Sequence, residues 1–290
     1  MKQIAIQGEI GSNSHMAAMQ MFAASELTVE VVACGISAEV TRKLVRGEVD
    51  FAVLPIENSL HGSVAEHYDL LLQEPVRIVR ESSMRVRHNV IAMRGVGLAE
   101  IRRVISHPVA LSQCRRWLGE HPEVVAAPFY DTAGSVKHLV AEGLRDVAAI
   151  APALASEVYG ADVLVEGVED HPENYTRFHL IVREGTRDGA GIEGGEIEAA
   201  GIEAANKMSV AFAVEHRPGT LVGALEGLAA VGADLTKIES RPVPGRPWEY
   251  VFYVDLRFAG SGVADAALES LRGRCGMVKE LGRYMAADRG

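Results

Sequence analysis

The sequence predicts an α/β protein of two lobes, followed by a smaller α+β unit of ferredoxin-like (βαββαβ) order. Three observations carry this. Short apolar strands alternate with helical patterns from residue 1 to about 183, residues 184–205 interrupt the pattern with glycine and acidic residues, and from 206 the order becomes β-α-β-β-α-β. Strand–helix alternation indicates mostly parallel sheets. The βαββαβ order indicates a single split-βαβ module.

The elements follow in order. "QIAIQ" (3–7) is a first strand, followed by a Gly/Ser turn and the helix-like "SHMAAMQMFAAS". "VEVVA" (29–33) precedes a helix around 37–46. "VDFAVLP" (49–55) is nearly continuous in apolar residues, as a strand buried on both faces is. "RRVIS", "EVVAAP" and "DVAAIA" come next, separated by helices around 108–119 and 131–143, and "FHLIVR" is the last strand of this part. These are more strand–helix units than one mononucleotide fold holds. The chain is therefore expected to form two lobes, crossing near 77–90 and returning near 165–178. The expected division is 1–183, a flexible solvated linker over 184–205, and 206–290. In the last part "KMSVAFAVE" alternates as a strand, "GTLVGALEGLAAVG" has helical spacing with a closing Gly, and "ADLTKIESRP", "WEYVFYVDLRF", a helix near 263–273 and "MVKELGRYM" complete the module.

Composition narrows the function. The 290 residues are 48% apolar and 23% charged, as in globular proteins, and the net charge is −10. No basic stripe is present, so neither nucleic acid nor an anionic membrane is expected as a partner. The short apolar start reads as a strand rather than a signal peptide, and no apolar run reaches the roughly 18–20 residues of a membrane span. Cys34, Cys114 and Cys275 show neither disulfide-framework nor CxxC spacing. A cytoplasmic, reduced protein is the expectation. The ten histidines form no metal signature. No dinucleotide fingerprint, P-loop or G-x-S-x-G elbow occurs. No metal and no cofactor are expected.

Four strand-to-helix turns carry hydroxyls and amides at the same end of their strands. "QGEIGSNSH" (7–15) offers free N–H groups at a helix start, where Ser12 or Asn13 either caps the helix or helps bind an anion. "LPIENSLHGSV" (54–64) ends a buried strand with Glu57, Asn58 and Ser59, a ligand position in α/β folds or a polar turn. "SHPVALSQC" (106–114) brings Ser106 and His107 before a Pro-started helix; "DTAGSVKHL" (131–139) brings Asp131 and Thr132. "ENYTRFHLIV" (173–182) sets Thr176, Arg177 and Phe178 side by side at a strand entrance: strand filling, or a pocket for an anionic ring compound.

"PIENS", "SHPVALSQC", "DTAGS" and "NYTRF", in this order and followed by an "IESRP" module, resemble the prephenate dehydratases, which make phenylpyruvate on the route to phenylalanine. The resemblance covers nearly the whole chain outside 184–205. It implies a catalytic domain of two α/β lobes like a periplasmic binding protein, with the site in the cleft, and a C-terminal ACT domain that binds phenylalanine as feedback inhibitor in a homodimer or homotetramer. Carried over, Thr176 is the main catalytic residue. Its hydroxyl hydrogen-bonds the departing ring oxygen. Arg177 either pairs with a substrate carboxylate or braces the loop, Phe178 packs in the core or stacks on the ring, and Ser12, Asn58, Ser59, Ser106, Gln113 and Thr132 contribute to substrate binding. In the regulatory module, "RPGTLVGAL" implies Gly219, Thr220, Leu221, Ala224 and Leu225, and the second stretch implies Asp234, Leu235, Glu239, Ser240, Arg241 and Pro242, as the phenylalanine site.

The departures are specific. Glu9, Ile10 and Asn13 stand where the family's first motif has Pro, Glu and an aromatic, Thr220 where Ala or Ser is common, and Asp234 where Asn is common. The motifs leave prephenate and its amino analogue arogenate open as substrate. The catalytic pattern starts at residue 4, so no fused chorismate mutase is expected.

Overall fold

The computed structural model describes residues 1–185, 205–243, 245 and 248–287. The linker expected over 184–205 falls, from 186 to 204, outside the described residues. Three sheets organise the described residues.

The first sheet has the order β2-β1-β3-β11-β5, with a short β4 paired to β3. Its strands are β1 (Lys2–Gln7), β2 (Val29–Cys34), β3 (Phe51–Asn58), β4 (Gly62–Ser63), β5 (Val76–Arg85) and β11 (Tyr175–Arg183). The second has the order β10-β6-β9-β7-β8, built from β6 (Asn89–Met93), β7 (Arg103–Ser106), β8 (Val125–Pro128), β9 (Val147–Ala151) and β10 (Ala161–Val165). Both sheets are mixed rather than mostly parallel: β11, β5, β6 and β10 run antiparallel to their neighbours. The chain passes from the first sheet to the second through 86–88, and back over 166–174.

Helix α1 (Asn13–Phe22) covers one face of the first sheet. Its Ala17, Ala18, Met21 and Phe22 pack with Ile4, Ile6, Phe51, Val53, Phe178 and Leu180. Helices α2 (Ser37–Val45) and α3 (Ala65–Gln73) cover the other face through Val40, Leu44, Tyr68 and Leu71. On the second sheet, α4 (Pro108–Ser112) and α5 (Arg115–Glu120) pack one face, α6 (Thr132–Ala141) and α7 (Ala153–Tyr159) the other. The single helix expected over 108–119 is broken at Gln113–Cys114. The break has a cause: Asp170 accepts from the N–H groups of Arg115 and Arg116 and so starts a second helix.

The third sheet, β13-β14-β12-β15, is formed by β12 (Lys207–Ala213), β13 (Asp234–Pro242), β14 (Tyr250–Arg257) and β15 (Met277–Tyr284), with helices α8 (Thr220–Ala230) and α9 (Ser261–Arg272) on one face. This is the βαββαβ order expected from the sequence. The opposite face is not solvated. Ala211, Val251, Tyr253, Leu281 and Tyr284 join the α2/α3-side core of the first sheet, so the two units share one apolar core. Gly282 (φ +154°) lies on the backbone of Ile78 in β5, where any Cβ would overlap it. No helix among the described residues is long and apolar enough to cross a membrane.

Candidate active site

The strand ends and helix starts of the two lobes face each other across a cleft of about 350 Å³. That volume lies at the lower end of the about 300–1,000 Å³ usual for small-molecule sites. All four turns singled out in the sequence contribute: Gly8, Glu9, Ser12 and Asn13 from β1–α1, Asn58 from the end of β3, His107 and Gln113 around α4, and Asp131 and Thr132 at the start of α6. Thr176 and Phe178 of β11 complete the wall.

Thr176 is opposite Asn58 in the antiparallel β11–β3 pair. The Asn58 Nδ2 donates to Thr176 Oγ1 at 3.0 Å and to Asn174 Oδ1 at 2.7 Å. Its Oδ1 accepts from the N–H groups of Leu60 and His61, which fixes the amide orientation. Asn174, fully buried, in turn donates to Gln113 Oε1 (3.0 Å), and His88 Nε2 meets the same oxygen at 2.8 Å. Gln113 Nε2 reaches His61 Nδ1 at 3.0 Å. One network thus runs from Thr176 to both lobes. Burial lowers the His88 pKa from its ordinary value, so the ring is neutral near pH 7. Because Thr176 Oγ1 already accepts from Asn58, its own proton is free to be donated into the cleft.

The charges lining the cleft are carboxylates. Glu9 and Asp131 line it, and no Lys or Arg does among the described residues. Asp131 caps α6, accepting from Gly134 N at 2.7 Å, and burial raises its pKa from the ordinary value. Glu9 reaches across the lobes to Tyr130 Oη (2.9 Å) and Lys137 Nζ (3.0 Å). Gly8 (φ +96°) allows this approach, since a Cβ there would meet the Asp131 carboxylate at 2.7 Å. The helix starts supply the positive end instead: Ser12 caps α1, accepting from His15 N at 3.4 Å, and Thr132 opens α6.

Three residues expected in substrate binding lie elsewhere. Arg177 points to the other face of the sheet, because side chains alternate along a strand. Its guanidinium donates to Glu57 (3.0 Å), Glu81 (2.8 Å) and Asp255, so it is a brace and not a clamp. Ser106 is fully buried, its Oγ donating to Ile150 O at 2.5 Å. Ser59 Oγ lies between Glu173 O (3.2 Å) and Tyr175 N (2.9 Å), holding the returning segment. Phe178 packs in the α1-side core and also borders the cleft. Sequence reasoning missed Glu9, His61, His88, Tyr130 and Asn174 as cleft or network residues. Asn174 had a signal, standing two residues before Thr176; His88 had none nearby.

In the C-terminal unit Gly219, Thr220 and Leu221 line a second cavity, of about 360 Å³, with His216, Trp248, Tyr250 and Phe252. Ala224 and Leu225 pack into the helix-side core. Along β13 the alternation divides the motif. Asp234, Leu235, Ser240 and Pro242 are exposed, whereas Glu239 and Arg241 turn to the catalytic lobes, where Ser63 Oγ donates to Glu239 and Arg241 donates to Asp69, each at 2.8 Å. Glu239 and Arg241 therefore make contacts between the C-terminal unit and the catalytic lobes.

Residues 4–186 match the family model described as prephenate dehydratase. The chain is 36% identical over 292 residues to arogenate dehydratase/prephenate dehydratase 2 of Arabidopsis thaliana, covering 97% of this chain and 72% of that protein. It is 32% identical over 286 residues to the bifunctional chorismate mutase/prephenate dehydratase of Neisseria gonorrhoeae, covering 98% and 74%. Among solved structures, prephenate dehydratase of Arthrobacter aurescens in complex with L-Phe superposes with a TM-score of 0.84 at 30% identity, covering 99% of this chain and 91% of that one. GqqA, described as a novel type of quorum-quenching acylase, gives the same TM-score at 29% identity, covering 99% of both chains. The chain belongs to the prephenate dehydratase family.

Proposed function

We propose that the cleft converts prephenate to phenylpyruvate, carbon dioxide and water, with Thr176 as the catalytic hydrogen-bond donor. The observation that carries this is the Asn58–Thr176 pair. The electrons of the C–CO2⁻ bond move into the ring as the ring C–O bond breaks, and the departing hydroxide takes up a proton to leave as water. Aromatisation supplies the driving force, so the protein has to hold the dianion and stabilise charge growing on the leaving oxygen. A Thr hydroxyl is a weak acid, but a hydrogen bond that strengthens as charge develops lowers the barrier selectively. Asn58 directs that bond. The substrate carboxylates are met by N–H groups at the starts of α1 and α6, near Ser12 and Thr132.

The Asp131 carboxylate, in a cleft wall without Lys or Arg, favours arogenate as a second substrate, since its ammonium group would find a partner there, Glu9 being already held by Tyr130 and Lys137. The C-terminal unit is an ACT domain that binds phenylalanine as inhibitor, with Gly219, Thr220 and Leu221 at one end of the site. The chain works as at least a dimer. The open edge of β13, with Leu235 and Ile238 exposed, supports this. The function is cytoplasmic biosynthesis, requiring no metal or cofactor.

The test is turnover of prephenate and of arogenate by the purified protein, with and without phenylalanine. Prephenate turnover suppressed by phenylalanine is expected. Asp131→Asn is expected to reduce arogenate turnover more than prephenate turnover. No turnover of either substrate by folded protein would overturn the enzymatic reading.

A further inference from the structure

The pair that holds the catalytic hydroxyl has a second face. Thr176 is opposite Asn58, and the next residues along, Arg177 and Glu57, are opposite each other as well. Alternation sends the first pair into the cleft and the second to the face that meets the C-terminal sheet. The Glu57 carboxylate is held from both sides there. Its Oε2 accepts from Arg177 at 3.0 Å and its Oε1 from Lys237 Nζ at 2.8 Å. Lys237 lies on β13 of the C-terminal unit, and the Arg177 guanidinium is tied to the same unit through Asp255 of β14. Each member of the Asn58–Thr176 pair is thus followed or preceded by a residue gripped by the third sheet.

Strand β13 also carries the exposed Ser240 and Pro242 on its outer side, three and five residues from Lys237. Glu57, Arg177 and Lys237 border an interdomain cavity of about 220 Å³. These side chains therefore have room to re-pair, unlike those in the apolar core beside them, which a shift of β13 would have to break.

We propose that Arg177 and Lys237 are positioning residues for the Asn58–Thr176 pair, acting through Glu57, and that the Lys237–Glu57 contact transmits effector occupancy of the C-terminal unit to the cleft. The proposal rests on the phenylalanine-inhibited dehydratase reading. A displacement of β13 pulls on Glu57, moves the neighbouring Asn58 amide and so misdirects the Thr176 hydroxyl. The effect falls on the chemical step more than on substrate binding.

The experiment compares wild type, Lys237→Met and Lys237→Arg. Lys237→Met keeps the length of the stem and removes the charge. Phenylalanine binding is measured by calorimetry, and kcat and KM for prephenate across a phenylalanine titration. For Lys237→Met, phenylalanine is expected to bind within about threefold of wild type while inhibition at saturation weakens by about tenfold, a coupling loss of ordinary allosteric size. Its kcat without effector is expected to change more than its KM, and Lys237→Arg is expected to restore both properties. Lys237→Met inhibited as fully as wild type would overturn the proposal. Should Lys237→Met not fold, Ser63→Ala, which removes a partner of both Lys237 and Glu239, is expected to weaken inhibition in the same direction, and unchanged inhibition would overturn the proposal. A wild type that neither binds nor responds to phenylalanine would instead sink the effector reading. The positioning role is then decided by kcat of Lys237→Met alone, with an unchanged value overturning it.

Discussion

One hydrogen bond decides what Thr176 can do. Its oxygen accepts from Asn58 Nδ2, which leaves its proton to be donated. Asn58 can serve only as an amide, because its other atom accepts from two backbone N–H groups. Asn58→Asp keeps the acceptor and loses the donor. It is expected to lower kcat by about 10²-fold, the loss seen when one donor is removed from a charge-stabilising site, with a smaller change in KM; an unchanged kcat would show that Thr176 needs no orientation. The sequence disclosed these residues unequally. Thr176 and Asn58 were legible because they stand in polar runs at strand ends, whereas Gln113, at the end of α4, came only through the family resemblance. Ser59 and Ser106 stand in the same runs yet bond to backbone, since a run says which loop faces the cleft but not which side chain does. Arg177 was legible in principle: period-2 alternation places it opposite to both Thr176 and Phe178.

At the scale of elements, the strands with continuous apolar runs were readable and the polar ones were not. β5 carries Arg77, Arg80, Glu81 and Arg85, which resemble a loop. It forms a ten-residue strand because its charges meet partners from elsewhere: Lys207 donates to Glu81 at 2.8 and 3.0 Å. The broken α4/α5 helix was illegible for a similar reason, its cause being Asp170, far along the chain. The docking of β15 on β5 depends on Gly282, which no local pattern singles out. Gly282→Ala has no space for its methyl group against Ile78. It is expected to destabilise the protein by about 1–3 kcal/mol, read as a fall in Tm. An unchanged Tm would mean that the sheets do not rest on each other at this point.

In the whole molecule, catalytic lobe and C-terminal unit are joined by a shared apolar core and a buried ionic cluster. Burial opposes the charges on Glu81, Asp255 and Glu57. Hydrogen bonding and charge from His179, then Arg177 and Lys207, outweigh that effect at Glu81; Arg177 and Lys207 do so at Asp255, and Lys237 and Arg177 at Glu57, so each is held below the usual carboxylate range. Carboxylates in the unfolded chain take up protons near about pH 4, whereas these do so only at lower pH when folded. The unfolded state therefore binds more protons in that window, and stability falls as pH falls through it. Tm is expected to begin falling below about pH 6.5, where His67, His88 and His179, held below their ordinary pKa by burial, take up protons only in the unfolded chain, and to drop more steeply below about pH 4.5, with Glu81→Gln less stable at pH 7 and flatter on the acid side. A Tm unaffected down to about pH 3 would contradict the cluster's role. None of this joint was legible in the sequence, because its members come from six strands and meet only in the fold.

The central claim is that the cleft performs the dehydration through Thr176. The most direct measurement is kcat and KM for prephenate in wild type and Thr176→Ala, with substrate binding to the variant measured separately. A fall in kcat of about 10²–10³-fold with binding largely retained is the result predicted. A variant that turns over near the wild-type rate would contradict the account.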